Sequence, residues 1–211
     1  MKALVVYCHP HGNSFNAGIL KSVQDTLIAA GADIQTLDLY ADGFQPGLSE
    51  AEFTTYLNPQ IDCPLLTRYI EAVKWCDALF FVYPTWWYGV PAILKGWLDR
   101  VLIPGVAFHM PDGGDIQPGL THITSLGVFT TCGASRKLTW LVGAPGKRTL
   151  LRGIRLICNP KCKTVFAAHY SMDDSTPESR QKHIATVETK LARFVKSRSS
   201  KALQTAQAAS A

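Results

Sequence analysis

Residues 77 to 101 constrain this chain more than any other stretch. The run Asp77 to Tyr83 meets Pro84, Thr85, Trp86, Trp87, Tyr88, Gly89, Val90 and Pro91, then passes into Ala92, Ile93, Leu94, Lys95, Gly96 and Trp97. The order is strand, aromatic loop, helix. Phe80, Phe81, Val82 and Tyr83 have the aromatic and β-branched character of a parallel strand buried on both faces. Pro84 has no N–H donor, so the ladder is expected to end there. Pro91 suits a first helical position, where its fixed φ fits and its missing donor is not needed. A short polar turn is the ordinary connection between strand and helix. Three consecutive large aromatics at a strand's carboxyl end read instead as a wall for a flat, π-rich ligand, because open α/β sheets bind ligands at those ends. Packing of the loop on its own domain or on a partner is the alternative.

The flanks carry the same grammar. Lys2 to Cys8 reads as a first strand, His9 to Ser14 as a tight polar loop, and Ile19, Leu20, Val23 and Leu27 recur at helical spacing from Phe15 until Gly31 closes the helix. Strand, polar loop and helix together make an anion site from backbone donors and a helix amino terminus. Ser14 or Asn13 acting as a plain N-cap is the bland alternative. Asp33 to Leu39 is a second strand. Tyr40 to Asp62 is a surface excursion with a short helix around Ser49 to Tyr56, and Pro64 to Trp75 is helical. Residues 103 to 119, rich in proline and glycine around Phe108, His109 and Met110, form a long loop of the kind that serves as a lid. His122 to Thr131 is a further strand, followed by Cys132, Gly133 and Ala134, whose small side chains let a ligand approach the backbone. After Arg136 to Gly153, Lys163 to Ala168 is the last strand, with His169, Tyr170 and Ser171 at its end. Thr176 then caps a helix begun by Pro177. Five strands alternating with helices predict one three-layer α/β domain over residues 1–196, followed by a disordered tail over 197–211.

A chain of 211 residues buries an adequate core without staples. No stretch reaches the ~18 uncharged apolar residues of a membrane span. The chain runs directly into a strand, so a cytoplasmic protein is expected. A net charge of +5 is modest and dispersed, which argues against a nucleic-acid surface. The six cysteines are expected as free thiols. Cys158 and Cys162 form a C-x-x-x-C spacing of the kind that can serve metal or redox work, but without a second ligand pair nearby neither is expected.

If the sheet runs 2-1-3-4-5, the loops after strands one, three and four converge at its switch point. The residues there carry a resemblance: His9 with Ser14, Phe15 and Asn16; the run Pro84, Trp86, Gly89 to Trp97; and Thr130, Thr131 and Gly133. Over residues 2 to 133 the chain resembles the NAD(P)H:quinone reductase branch of the flavodoxin-like family. The resemblance implies a flavodoxin-like fold and a two-electron reductase. Hydride would pass from NADPH or NADH through a bound flavin to a quinone-type acceptor in a ping-pong cycle, within a homodimer whose two subunits build each pocket. By position, His9, Ser14, Phe15 and Asn16 would contact the flavin phosphate side. Pro84, Thr85, Trp86, Trp87, Tyr88 and Gly89 would cup the ring, with Thr131, Cys132 and Gly133 at its other edge. Tyr88, Phe108, His109 and Met110 would form the substrate pocket. FMN is expected over FAD, because no adenine-contacting motif stands in residues 40–66. A tyrosine and histidine that mammalian members carry after the fourth strand have no counterpart in residues 134–157, so proton delivery has no assigned residue and no catalytic side chain is named. Lys147, Arg148, Arg152 and Arg155 suit either a 2′-phosphate or ordinary helix solvation. A one-electron carrier and a redox-sensing regulatory subunit are the other functional readings.

Overall fold

Five apolar runs become the strands of one parallel sheet in a computed structural model that describes residues 1–59, 63–111 and 114–209. They are β1 (Lys2–Tyr7), β2 (Asp33–Asp38), β3 (Ala78–Thr85), β6 (Ser125–Cys132) and β7 (Lys163–His169). Between β3 and β6 stands a separate antiparallel ribbon, β4 (Phe108–His109) with β5 (Gln117–Pro118). The sheet order is β2-β1-β3-β6-β7, which is 2-1-3-4-5 when the sheet strands alone are numbered, as expected.

Alternation along the strands sorts side chains onto two faces. Leu4, Val6, Leu79, Phe81 and Val128 join one core, covered by α3 (Pro64–Trp75) and α4 (Ala92–Val101). Trp97 of α4 is fully buried, edge-on to Phe81. Val5, Tyr7, Phe80, Val82 and Phe129 join the other core, under α1 (Phe15–Ala29) and α7 (Pro177–Ala209). Every residue of β6 is buried, whereas edge strand β2 alternates, as its position in the sheet requires.

Several details differ from the sequence reading. β3 does not end at Pro84; Pro84 pairs with Thr131 and Thr85 with Cys132. The reason is directional. Val82 accepts from Cys8 N–H on the β1 side, so by alternation the nitrogen of Pro84 faces that same side, beyond the end of β1. No ladder bond is lost. The 103–119 loop contains the β4/β5 ribbon, pinned by Gly119 N–H to Ala107 O at 2.8 Å and Gly105 N–H to Phe108 O at 2.8 Å. Residues 60–62 of the excursion and 112–113 of this loop lie outside the described residues. A short α2 (Glu50–Thr54) has the reciprocal Ser49/Glu52 capping box. α5 (Arg136–Leu141), α6 (Pro145–Arg148) and a π-helical turn (Thr149–Ile154) fill the next segment. The backbone of α7 is helical to Ala209, past residue 196 where a disordered tail was expected, in keeping with the Ala, Leu, Lys and Gln content of that stretch. Residues 210 and 211 lie outside the described residues. Among the described residues, no helix is long and apolar enough to cross a membrane.

Candidate functional site

At the carboxyl ends of β1, β3 and β6 the sheet opens into a crevice of about 670 Å³. Its walls bring together His9, Phe15, Asn16, Pro84, Thr85, Trp86, Trp87, Tyr88, Thr131, Cys132 and Gly133, from three separated loops. This is where strand order reverses between β1 and β3, so the two loops diverge and leave a gap.

The aromatic wall is a tight turn. Gly89 N–H donates to Trp86 O at 3.0 Å, and Trp87 and Tyr88 occupy its two central positions at φ +49° and +61°. Two successive left-handed residues define a type I′ turn, a place normally taken by Asn or Gly. Bulky residues there cost on the order of 1–3 kcal/mol each and persist only when the surroundings hold them. The holder is α6. A side chain at Gly146 would stand 3.1 Å from the Gly89 carbonyl carbon, tighter than ordinary contact, so glycine there eases the close backing of the turn. The consequence is exposure: Trp87 is 94% and Trp86 44% exposed.

Opposite lies the start of α1. The loop before it is closed by His11 N–H to His9 Nδ1 (3.0 Å) and Ser14 N–H to His11 O (3.2 Å). Burial pulls the His9 pKa below the ordinary imidazole value. Ser14 is the N-cap: its hydroxyl accepts from Ala17 N–H at 3.1 Å and lies 3.3 Å from Tyr7 OH. The N–H groups of Phe15 and Asn16 find no acceptor among the described residues, as is usual for a first helical turn. Asn16 itself is buried; its Nδ2 donates to Thr131 Oγ1 at 3.0 Å, while its Oδ1 has no partner among the described residues.

The far wall is Thr131, Cys132 and Gly133, joined by Ala134, Leu138, Met172 and Asp173. Behind it Thr85 Oγ1 and Thr130 Oγ1 are 2.9 Å apart. A Cβ on Gly133 would stand 2.8 Å from Asp173 Oδ2, so this glycine makes room for the carboxylate.

The chain matches the family described as having a flavodoxin-like fold over residues 1–191. It belongs to that family. Among relatives, human ribosyldihydronicotinamide dehydrogenase [quinone] is 32% identical over 157 residues, covering 65% of this chain and 66% of the relative. The match thus spans just under two thirds of that relative's length. The crystal structure of Smu.1420 from Streptococcus mutans UA159 is 31% identical with a TM-score of 0.79, covering 92% of this chain and 100% of the other. The NAD(P)H:quinone oxidoreductase from Methanothermobacter marburgensis is 25% identical with a TM-score of 0.75, covering 92% of this chain and 96% of the other.

Not every anticipated residue faces the crevice of this flavodoxin-like domain. Ser14 spends its hydroxyl on the cap, and Gly89 closes the aromatic turn. Phe108, His109 and Met110 stand on or beside the ribbon and do not line the crevice of their own chain. Phe108 packs on the α3/α4 core and Met110 is exposed. His169 is turned into the other core, edge-on to Phe15 and His183, with Nε2 3.3 Å from Ser179 Oγ. Two of the four basic residues are engaged locally: Lys147 Nζ sits 4.5 Å from the centre of the Phe166 ring, and Arg155 Nε donates to Cys162 O. Sequence reasoning missed Leu138, Met172 and Asp173. The rule that every strand's carboxyl end faces the crevice pointed to the loop after β7, but not to which of its residues turn inward.

Proposed function

We propose that this protein is a flavin-dependent NAD(P)H oxidoreductase that reduces a quinone-type acceptor. The observation that carries the reading is one crevice with two ends: unpartnered N–H groups at the start of α1, and an exposed aromatic turn held in a strained conformation. An isolated phosphate would need only the first, and an apolar ligand only the second. A phosphorylated planar ring uses both. The unpartnered Asn16 Oδ1, buried and beside the crevice, is a further acceptor awaiting a donor. These residues fit a flavin, and FMN before FAD, since its single phosphate needs no more than the α1 terminus.

When bound, the flavin would supply the hydride chemistry between NADPH or NADH and the acceptor. The chain's own residues would do the rest. Phe15 and Asn16 N–H would hold the phosphate. The Trp86 to Gly89 turn and Thr131 to Gly133 would bracket the ring and keep water from it. Tyr88, on the crevice wall, would border the acceptor. The names of the human and Methanothermobacter relatives, a quinone-acting dehydrogenase and an NAD(P)H:quinone oxidoreductase, support the same donor and acceptor classes.

The largely exposed Trp87 and the ribbon bearing Phe108, His109 and Met110 suit a homodimer in which each ribbon closes the partner's crevice. Sedimentation as a monomer at assay concentration would remove that part of the reading. A cytoplasmic setting, where NAD(P)H is supplied and thiols stay reduced, is part of the same reading. The test is steady-state kinetics with NADPH and a benzoquinone varied together. Parallel double-reciprocal lines are expected from the ping-pong cycle. A protein that holds flavin yet oxidises no NADPH or NADH would instead be a one-electron carrier or a redox-sensing subunit.

A further inference from the structure

At the opposite end of the sheet from the crevice, the chain enters β7 through a turn flanked by two buried thiols. Cys158 is 2% and Cys162 0% exposed; the two thiols are close enough to perturb each other's ionisation, and the Cys162 thiol donates to Lys163 O at 3.7 Å. The turn between them is tightly made. Cys162 N–H donates to Asn159 O at 2.8 Å, and Lys161 N–H to Asn159 Oδ1 at 2.9 Å. It is also clamped from outside: Leu120 N–H donates to Ile157 O (2.9 Å), Asn159 N–H to Ile123 O (3.1 Å) and Asn159 Nδ2 to Thr121 O (3.0 Å). The backbone of the turn that carries the two thiols is therefore fixed from both sides.

One of the two thiols borders a charged cavity. Cys162, Arg155, Lys163, Arg198, Ser197 and Phe194 line a space of about 410 Å³ whose walls carry three cations and no carboxylate among the described residues. Arg198 Nε is buried there without a partner among the described residues. Cations beside a sulfur favour the thiolate, the species that reacts with electrophilic oxygen. Interaction with Cys158, then the charges of Arg155 and Arg198, hold Cys162 below the usual thiol range against the opposing effect of burial, and the same interaction together with burial pushes Cys158 up. Burial pushes Cys8 up as well, and Cys76 up to about 12, which leaves those thiols protonated.

We propose that Cys158 and Cys162 are a peroxide-sensitive thiol pair, with Cys162 the thiol attacked first and Cys158 the one that resolves it to a disulfide. The Cys162 thiolate attacks one oxygen of hydrogen peroxide, the O–O bond breaks, and the departing hydroxide takes a proton to leave as water. Cys162 is then a sulfenic acid. Cys158 loses its proton and its sulfur attacks the Cys162 sulfur; the S–O bond breaks and a second water leaves. The two thiols lose two electrons and two protons, and the peroxide is reduced to two waters. Because Cys162 has no exposed surface, peroxide reaches it only when the wall of the cationic cavity opens locally, which restricts the reaction to a small oxidant. The pair stands apart from the crevice, so this inference does not depend on the flavin reading.

The test is mass spectrometry of the intact full-length protein after hydrogen peroxide, followed by denaturation, alkylation and peptide mapping. Loss of two hydrogens, with a peptide linked through Cys158 and Cys162 and both sites closed to alkylation, is expected; Cys63, half-buried and without a thiol partner, remains alkylated. Finding Cys158 and Cys162 still alkylatable after Cys63 has oxidised would overturn the proposal. So would Cys162 advancing to sulfinic acid without a link to Cys158. In Cys158→Ser, Cys162 should take a dimedone-type sulfenic acid tag, and the absence of that tag would overturn its assignment as the attacking thiol. Should that variant fail to fold, the wild-type peptide map still decides whether the disulfide forms.

Discussion

Trp87 and Tyr88 sit where glycine or asparagine would be easier, and the account gives them a use: the strain sets two aromatic faces at the mouth of the crevice. Replacing Trp87 by glycine removes one unfavourable φ while adding backbone freedom to the unfolded chain, two effects of opposite sign of which the first is at least as large. Trp87→Gly is therefore expected to leave unfolding free energy in urea unchanged or raise it by up to about 2 kcal/mol, while flavin affinity measured by fluorescence titration falls clearly. Equal flavin affinity would mean that the turn is not part of the ring site. The aromatic run itself was plain in the sequence, because large apolar residues rarely follow a strand without a ligand or partner to cover them. Its left-handed backbone was not, since nothing local in Trp-Trp-Tyr favours positive φ; the conformation is imposed by the closing bond to Gly89 and the backing of Gly146. Asp173 was equally hidden, because its place depends on the approach of the β7 loop to Gly133.

At the scale of elements, the strands and long helices were legible from apolar runs and helical spacing, and their ends were not. Pro84 stays in β3 because its neighbour β1 has already ended, a fact about pairing rather than about proline. The β4/β5 ribbon escaped notice because two residues per strand carry no period. α4 is seated by Gly96, where an added Cβ would collide with the backbone of Pro46. Gly96→Ala should lower stability by about 1–3 kcal/mol in chemical denaturation, as overpacking does; an unchanged midpoint would mean that the Pro46 loop yields freely. Between β7 and α7, His169 and His183 pack edge-on against each other, and His183 Nε2 has no partner among the described residues. Burial first, then the neighbouring His169 and Lys190, lower the His183 pKa from 6.5 to about 4. His169 is lowered too, by burial and by Arg180. A depressed folded value means that the unfolded chain binds more protons in this window. The stabilisation is thus complete above pH 6.5 and is lost as pH falls toward 4. His183→Phe, which fills the site against Phe15 without titrating, should flatten that slope relative to wild type. Parallel slopes for the two proteins would contradict the account.

For the molecule as a whole, the strand order was the inference on which the others depended. Placing β1 and β3 side by side converted three distant loops into one site, and the observed order β2-β1-β3-β6-β7 does bring those loops together. What a single chain's sequence did not reveal was which of its own residues leave that site. Ser14 is absorbed by its cap, and the ribbon segment with Phe108, His109 and Met110 does not line its own crevice. The Ser14 cap was one of the two readings its sequence position offered, whereas the ribbon follows from backbone hydrogen bonding that no side-chain pattern encodes. The central claim is that the crevice holds a flavin mononucleotide by the α1 terminus and the aromatic turn. It is tested most directly by purifying the protein, releasing any bound cofactor by heat and identifying it by mass. The account predicts FMN, near one equivalent per chain after reconstitution. A colourless protein that takes up neither FMN nor FAD would contradict it.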